Sequence, residues 1–184
     1  MFLELGIRAT TAEVASRAGI AEGTIFHRFR SKEELFRAAM NFDPDAVPAL
    51  VEELVQRAGV GDLRATLIEF AERFMALGRV AMPVMMMSWS NPESQLCQDR
   101  TSERATRYRR VVGALRKFFE IEMSAGRLQH ADPEVMSRML IGSLHHFCMI
   151  ELFAGDPERP MTHREFGEKA VSILLGSSVN PASR

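Results

Sequence analysis

Cysteine is scarce. Cys97 and Cys148 are the only two in 184 residues. They form no C-x-x-C pair and are too few for a disulfide framework, so the chain reads as one for a reducing compartment. Net charge is scarce too: 23 Lys and Arg against 24 Asp and Glu leave a formal −1, which excludes a globally basic protein. No uninterrupted apolar run approaches the ~20 residues of a membrane span. The start MFLELGIRA has no basic stretch ahead of an apolar core, as a secretory signal would. A cytoplasmic protein without a membrane segment is expected. Hairpin signals are missing, since no Asn-Gly or Asp-Gly dipeptide joins two alternating runs. Missing as well are a nucleophile–base motif, a glycine-rich phosphate loop and metal-ligand spacing, which argues against an enzyme and leaves no cofactor to expect. The adjacent His145 and His146 do not supply a metal site. Neighbours on a helix point about 100° apart, whereas zinc pairs on a helix use i, i+4 spacing.

What is present reads as helix throughout. The chain is 46% hydrophobic and 26% charged, ordinary for a globular protein and enough for a real core. Thr10 with Glu13, Ser31 with Glu34 and Thr162 with Glu165 have capping-box spacing. Asp43-Pro44, Asn91-Pro92 and Asp132-Pro133 each place a capping residue before a proline suited to a first helical turn. Apolar residues recur every three or four positions at Val47, Leu50, Val51, Leu54, Val55 and Ala58, at Leu63, Leu67, Phe70, Phe74 and Leu77, and at Val111, Leu115, Phe118 and Phe119. Breaks fall at Gly59–Gly61, Gly126 and Gly155–Pro160. There is no internal repeat. The expected organisation is all-α, with a small unit over residues 1–42 and a larger helical domain over 43–184.

Residues 10–29, TTAEVASRAGIAEGTIFHRF, carry the most information. A capped helix over about 11–18, a tight turn at Gly19-Ile20-Ala21 and a second short helix over about 22–29 have the layout of a helix-turn-helix, whose second helix enters the DNA major groove. Val14, Ala15, Ala18, Ile20, Ile25 and Phe29 are the expected apolar contacts between the helices. Gly23 brings backbone close to whatever the helix tip meets. Thr24 suits a phosphate or a thymine methyl, while His27 and Arg28 donate to phosphate or base edges. Lys32 opens the next helix, where a cation and backbone N–H groups both favour phosphate. Thr11 stands in the first turn of the leading helix, also near a backbone path. Over residues 17–37 five cations face three carboxylates, a modest positive footprint that a solvated helix face would share. A plain helical hairpin with a polar outer face has the same spacing.

Residues 6–36, GIRATTAEVASRAGIAEGTIFHRFRSKEELF, resemble the DNA-binding domain of the TetR family of transcriptional regulators. The resemblance runs from the Gly before the Thr pair through AEVASRAG to GTIFHRF and SKEEL. Beyond it only the helical layout and GRLQHADPEV are similar; in the family that segment precedes a dimerisation helix. The resemblance implies an all-α homodimer that binds a double-stranded operator and responds to a small molecule in its C-terminal domain. It places the DNA contacts on Thr11, Ala21, Gly23, Thr24, Phe26, His27, Arg28 and Lys32. Three positions depart from the family pattern. Phe26 replaces the usual Tyr and loses a hydroxyl, Ala21 replaces the common Ser, and Glu22 stands where Lys or a polar residue is frequent. Glu22 either accepts from a cytosine amino group or repels phosphate. A fourth departure is at the start, where MFLEL occupies the place of a full helix. An internal start or a truncated chain is expected from it, with DNA binding impaired if Met1 is the true start.

The larger domain is less explicit. VAMPVMMMSW, residues 80–89, contains four Met, the sole Trp, and Pro83, which would kink or start a helix. Met lines adaptable cavities well. Met82, Met85, Met86 and Trp89, with Phe70, Phe74 and Tyr108 opposite, are candidate pocket walls for an apolar or aromatic ligand, and core is the other reading of the same spacing. Arg100, Arg104, Arg107, Arg109, Arg110, Arg116 and Lys117 read as the wet face of a long helix whose other side carries Val111, Val112, Leu115 and Phe118. Residues 132–154 and 162–175 are candidate partners in a four-helix dimer interface, through Met139, Gly142, Ser143, His146, Ile150, Phe166 and Ile173. The expected function is a ligand-responsive regulator, a repressor, with a helical small-molecule-binding protein that has lost DNA binding as the alternative.

Overall fold

The computed structural model describes residues 9–39, 41–90, 100–154 and 161–176, and eight helices lie among them. They are α1 (Thr11–Ala18), α2 (Glu22–Arg28), α3 (Lys32–Ala39), α4 (Ala46–Gln56), α5 (Leu63–Ser90), α6 (Arg100–Ser124), α7 (Pro133–Ala154) and α8 (His163–Gly176). The expected all-α class is observed. MFLEL, Asn91-Pro92 and Gly155–Pro160 lie outside the described residues.

Local chemistry sets most helix ends. At α1 the Thr10 side chain accepts from Glu13 N–H at 3.1 Å, and the Glu13 carboxylate accepts from Thr10 N–H at 2.8 Å. Thr162 and Glu165 repeat that reciprocal pair at α8. In both boxes the hydrogen bonds from the threonine hold the glutamate carboxyl below its ordinary range. Ser31 accepts from Glu34 N–H, but the Glu34 carboxylate reaches one residue further back, to Arg30 N–H. Asp132 caps α7 by accepting from Glu134 and Val135 N–H, with Pro133 as the first helical residue. Asp62 does the same for α5 through Ala65 N–H.

The start expected at Asp43-Pro44 is displaced. Asn41 takes a left-handed φ of 49°, and Phe42 N–H closes onto Arg37 O at 2.9 Å. The chain uses residues 41–45 to turn, so α4 begins at Ala46 and Pro48 occupies its first turn, where no N–H is needed. Pro83 neither starts nor ends a helix. It sits inside α5, which continues to Ser90.

The chain divides into two compact units, with divisions at Pro44/Asp45, Arg79/Val80 and Thr101/Ser102. Residues before Asp45 group with Val80–Thr101, and Asp45–Arg79 groups with Ser102 onward. In the first, Ala15, Ile25 and Leu35 form a small core from α1, α2 and α3, with Val14 and Phe29 packed on it. Ala18 and Ile20, expected among these contacts, are exposed instead. Ala18 is the last residue of α1, and Ile20 follows the left-handed C-cap Gly19 (φ 68°), beyond the helix.

The second unit buries a larger core: Leu50, Val51 and Leu54 of α4, Leu67, Phe70, Phe74 and Met75 of α5, Val111, Leu115, Phe118 and Phe119 of α6, Leu140 and Leu144 of α7, and Val171 and Leu175 of α8. Two glycines permit close helix approach. A Cβ on Gly78 would stand 2.7 Å from Cys148 Sγ, and one on Gly167 would stand 3.3 Å from the Ala71 methyl. The arginine-rich helix α6 turns its described cations outward, where Arg110 meets Glu52 at 2.7 Å and Arg107 meets Asp45 at 3.5 Å.

Candidate nucleic-acid interface

Three short helices present the residues singled out in the sequence. The turn after α1 is closed by Ile20 N–H donating to Ala15 O at 3.0 Å. Ala21 then takes an extended conformation (φ −71°, ψ 143°) as N-cap of α2 and has no side-chain cap hydrogen bond. Ile25 is the buried residue of α2 and faces Ala15 and Leu35. The helix therefore shows its remaining faces outward. Ala21, Glu22, Gly23, Thr24, Phe26, His27 and Arg28 are all exposed, Phe26 by 50% despite its size. Phe29 caps the C-terminus, and its ring lies 5.8 Å from the Arg28 guanidinium carbon, which steadies that cation along the helix. Thr11 and Lys32 are half-buried, at the first residues of α1 and α3.

One contact in this group was not legible in the sequence. The Thr11 hydroxyl donates to Glu22 Oε1 at 2.6 Å. It joins the first turn of α1 to the first turn of α2 across eleven residues. No helical period predicts it, and only the folded turn at Gly19 brings the two together. Gly23 is informative in another way. Its φ is not positive, and a Cβ there would meet nothing within 4 Å. Nothing inside the described chain requires a glycine at this point of a helix.

The candidate pocket residues fall in both units. Phe70 and Phe74 are buried in the second, ring centroids 5.9 Å apart, and Tyr108 is 49% exposed there. Met82 is buried, and Met85 and Met86 are half-buried, in the first. The side chain of Trp89 lies outside the described residues. Phe70 also floors a shallow cleft with Leu50 and Leu54. Its rim is held by a two-pronged Arg73–Glu53 pair at 2.7 and 2.8 Å and an Arg57–Glu69 pair at 2.8 Å.

The candidate interface residues lie on α7 and α8. Met139, Gly142, His146, Ile150 and Ile173 are exposed, Ile173 by 72%, while Ser143 and Phe166 are half-buried. Ser143 donates to Leu140 O, and Phe166 stacks on Phe147 at 4.3 Å. Val135 and Phe153 extend the exposed apolar row along α7. His145 is half-buried; burial, and next the charge of His146, push its pKa down. Among the described residues no group of three His, Cys, Asp or Glu could hold a metal, and no helix is long and apolar enough to cross a membrane.

Known proteins resemble this chain over both parts. Residues 1–39 match the family model of bacterial regulatory proteins of the tetR family. Nucleoid occlusion factor SlmA of Photobacterium profundum is 25% identical over 144 residues, which cover 74% of this chain and 69% of that protein. The TetR family transcriptional regulator PfmR from Thermus thermophilus superposes with a TM-score of 0.68 at 20% identity, over 95% of this chain and 92% of that one. AibR, in a complex with isovaleryl coenzyme A and operator DNA, superposes with a TM-score of 0.60 at 18% identity, over 95% and 91%. The structural likenesses show a shared fold over nearly the whole chain; the match at residues 1–39 falls on the three-helix unit just described. The N-terminal segment is thus similar to the tetR family of bacterial regulatory proteins, while the rest of the chain shares their fold.

Proposed function

We propose that this protein is a homodimeric, ligand-responsive transcriptional regulator acting in the cytoplasm, a repressor released from its operator by a small apolar or aromatic molecule. Residues 1–42 form the DNA-binding domain and 43–184 the ligand-binding and dimerisation domain. The observation that carries this reading is the outer face of α2. A glycine in a helix costs about 1 kcal/mol relative to alanine, yet among the described residues no packing contact uses Gly23. A half-exposed Phe26, with His27 and Arg28 beside it, is equally unexplained by the fold. Close approach to a duplex accounts for all four. Thr24 and Lys32 then meet phosphate, and Ala21 lies against the groove wall. Within the second unit Phe70, Phe74 and Tyr108 are the proposed ligand contacts. Ligand binding stabilises a spacing of the two DNA-binding units that fits the operator poorly. AibR, seen with both a coenzyme A ester and operator DNA, is a relative in fold that holds both kinds of partner.

The test is a titration against duplex from the intergenic region upstream of the protein's own gene, at two salt concentrations, beside a scrambled duplex. Specific binding is expected, weakening as salt rises, and falling about ten-fold or more in Arg28→Ala. Lys32→Ala should weaken binding to all sequences alike and flatten the salt dependence. Equal binding to the two duplexes would reject the regulator reading in favour of a helical small-molecule-binding protein.

A further inference from the structure

The Thr11–Glu22 contact changes what both residues can do at a DNA surface. A threonine hydroxyl has one proton to donate, and a phosphate oxygen can only accept. In this structure that proton is committed to Glu22 Oε1 at 2.6 Å. Thr11 therefore cannot also donate its hydroxyl to a phosphate. Glu22, for its part, is exposed at the first turn of α2 and leads the row that continues through Phe26 one turn later. A free glutamate at this position would swing away from the phosphates. This one is tethered at Oε1, which keeps the carboxylate at the tip of α2 with Oε2 still able to accept.

A fixed carboxylate in a major groove has a narrow set of partners. Guanine presents O6 and N7, both acceptors, and thymine presents O4, also an acceptor; each repels a carboxylate. The cytosine N4 amino group is a donor that a carboxylate accepts well, and it lies on the groove edge without a neighbouring acceptor on the same base. We infer that Glu22 is a specificity-determining residue that reads a cytosine in each operator half-site, and that Thr11 is its positioning residue rather than a phosphate anchor. This rests on the proposal that α2 enters a major groove.

The experiment is selection from a randomised duplex library by the full chain, followed by competition titrations at one salt concentration. Wild type, Glu22→Gln, Thr11→Val, Thr11→Ser and Arg28→Ala are compared. Wild type should enrich one cytosine per half-site that Glu22→Gln no longer enriches. Gln pairs with adenine instead, so the C-over-A preference at that column should fall about ten-fold. Thr11→Val should keep most of the affinity and blur the same column, and Thr11→Ser should restore it. A merely structural Thr11 would alter affinity at every column equally. An enriched motif whose columns are the same in wild type and Glu22→Gln overturns the inference while leaving DNA reading intact. Failure of the wild type to enrich any motif overturns both.

Discussion

At the scale of single residues, the informative contact is between Gly78 and Cys148. The sulfur donates to Met75 O at 3.7 Å and lies where a side chain on residue 78 would have to go. Gly78→Ala gains about 1 kcal/mol of helix propensity, but the 2.7 Å approach to a buried sulfur forces α5 and α7 apart. Overpacking of this kind costs about 1–3 kcal/mol. We expect Gly78→Ala to lower the melting temperature and Cys148→Ala in the same chain to recover it; additive losses in the double variant would refute the contact. Burial also pushes the Cys148 thiol up to about 11 from 9.0. The sign follows from linkage: the folded state holds the proton more tightly, so this group's contribution is complete below pH 9 and is lost between about 9 and 11. Alkylation of Cys148 in a Cys97→Ser chain should therefore stay slow at pH 8 and accelerate over that alkaline window, as followed by mass spectrometry. Rapid labelling at pH 8 without unfolding would contradict the burial. The surroundings of Cys148 were not legible in the sequence, because Met75 and Gly78 stand seventy or more positions away on another helix.

Among the elements, helix ends and helix contacts differ in how they are encoded. The boxes at Thr10 and Thr162 and the cap at Asp132 are complete within four residues, so pattern alone located α1, α7 and α8. The turn between α4 and α5 is different. Gly59 N–H donates to Glu122 Oε1 at 2.8 Å, Arg127 Nη1 donates to Gly61 O at 3.0 Å, and Arg127 Nε lies 2.6 Å from Glu122 Oε2. Glu122 is only 1% exposed, and this one carboxylate fastens the α4–α5 turn to the end of α6. The contact spans 63 residues, and in sequence Glu122 looks like one more charge on a polar helix face. Removing one partner of a buried pair strands the other, at a cost of about 3–5 kcal/mol. Glu122→Ala should approach the lower end of that range in chemical denaturation, since Arg127 is partly solvated. Glu122→Gln, which keeps the acceptor for Gly59, should lose less. Equal stability of Glu122→Ala and wild type would show the network to be idle.

For the molecule as a whole, the exposed apolar row on α7 and α8 is the proposed dimer contact. Among the described residues Met139, Ile150, Phe153 and Ile173 are 43–72% exposed, although residues of their kind fill the core. A regulator reading two half-sites about 34–36 Å apart has to be a dimer, and this row is the proposed contact. Met139→Glu combined with Ile173→Glu should leave the folded chain's melting temperature within a few degrees of wild type and convert it to a monomer in sedimentation velocity. Specific operator binding should fall steeply with it. A dimer that survives both charges would place the interface elsewhere.

The sequence by itself determined the all-helical class, the helix-turn-helix layout with helices over about 11–18 and 22–29, observed as Thr11–Ala18 and Glu22–Arg28, and the likeness of residues 1–39 to the tetR family. These follow from short-range rules: caps complete in four residues, apolar spacing near 3.6, a glycine where the chain must turn left-handed. It also flagged Glu22 as out of place without saying why. Tertiary structure decided the rest. It set α4 to start at Ala46, left Ile20 exposed, committed the Thr11 hydroxyl to Glu22, and brought Gly78 against Cys148 and Glu122 against Gly59. In each case the deciding partner lies on a neighbouring helix or turn, outside any local pattern, and only chain closure brings it within bonding or clashing distance.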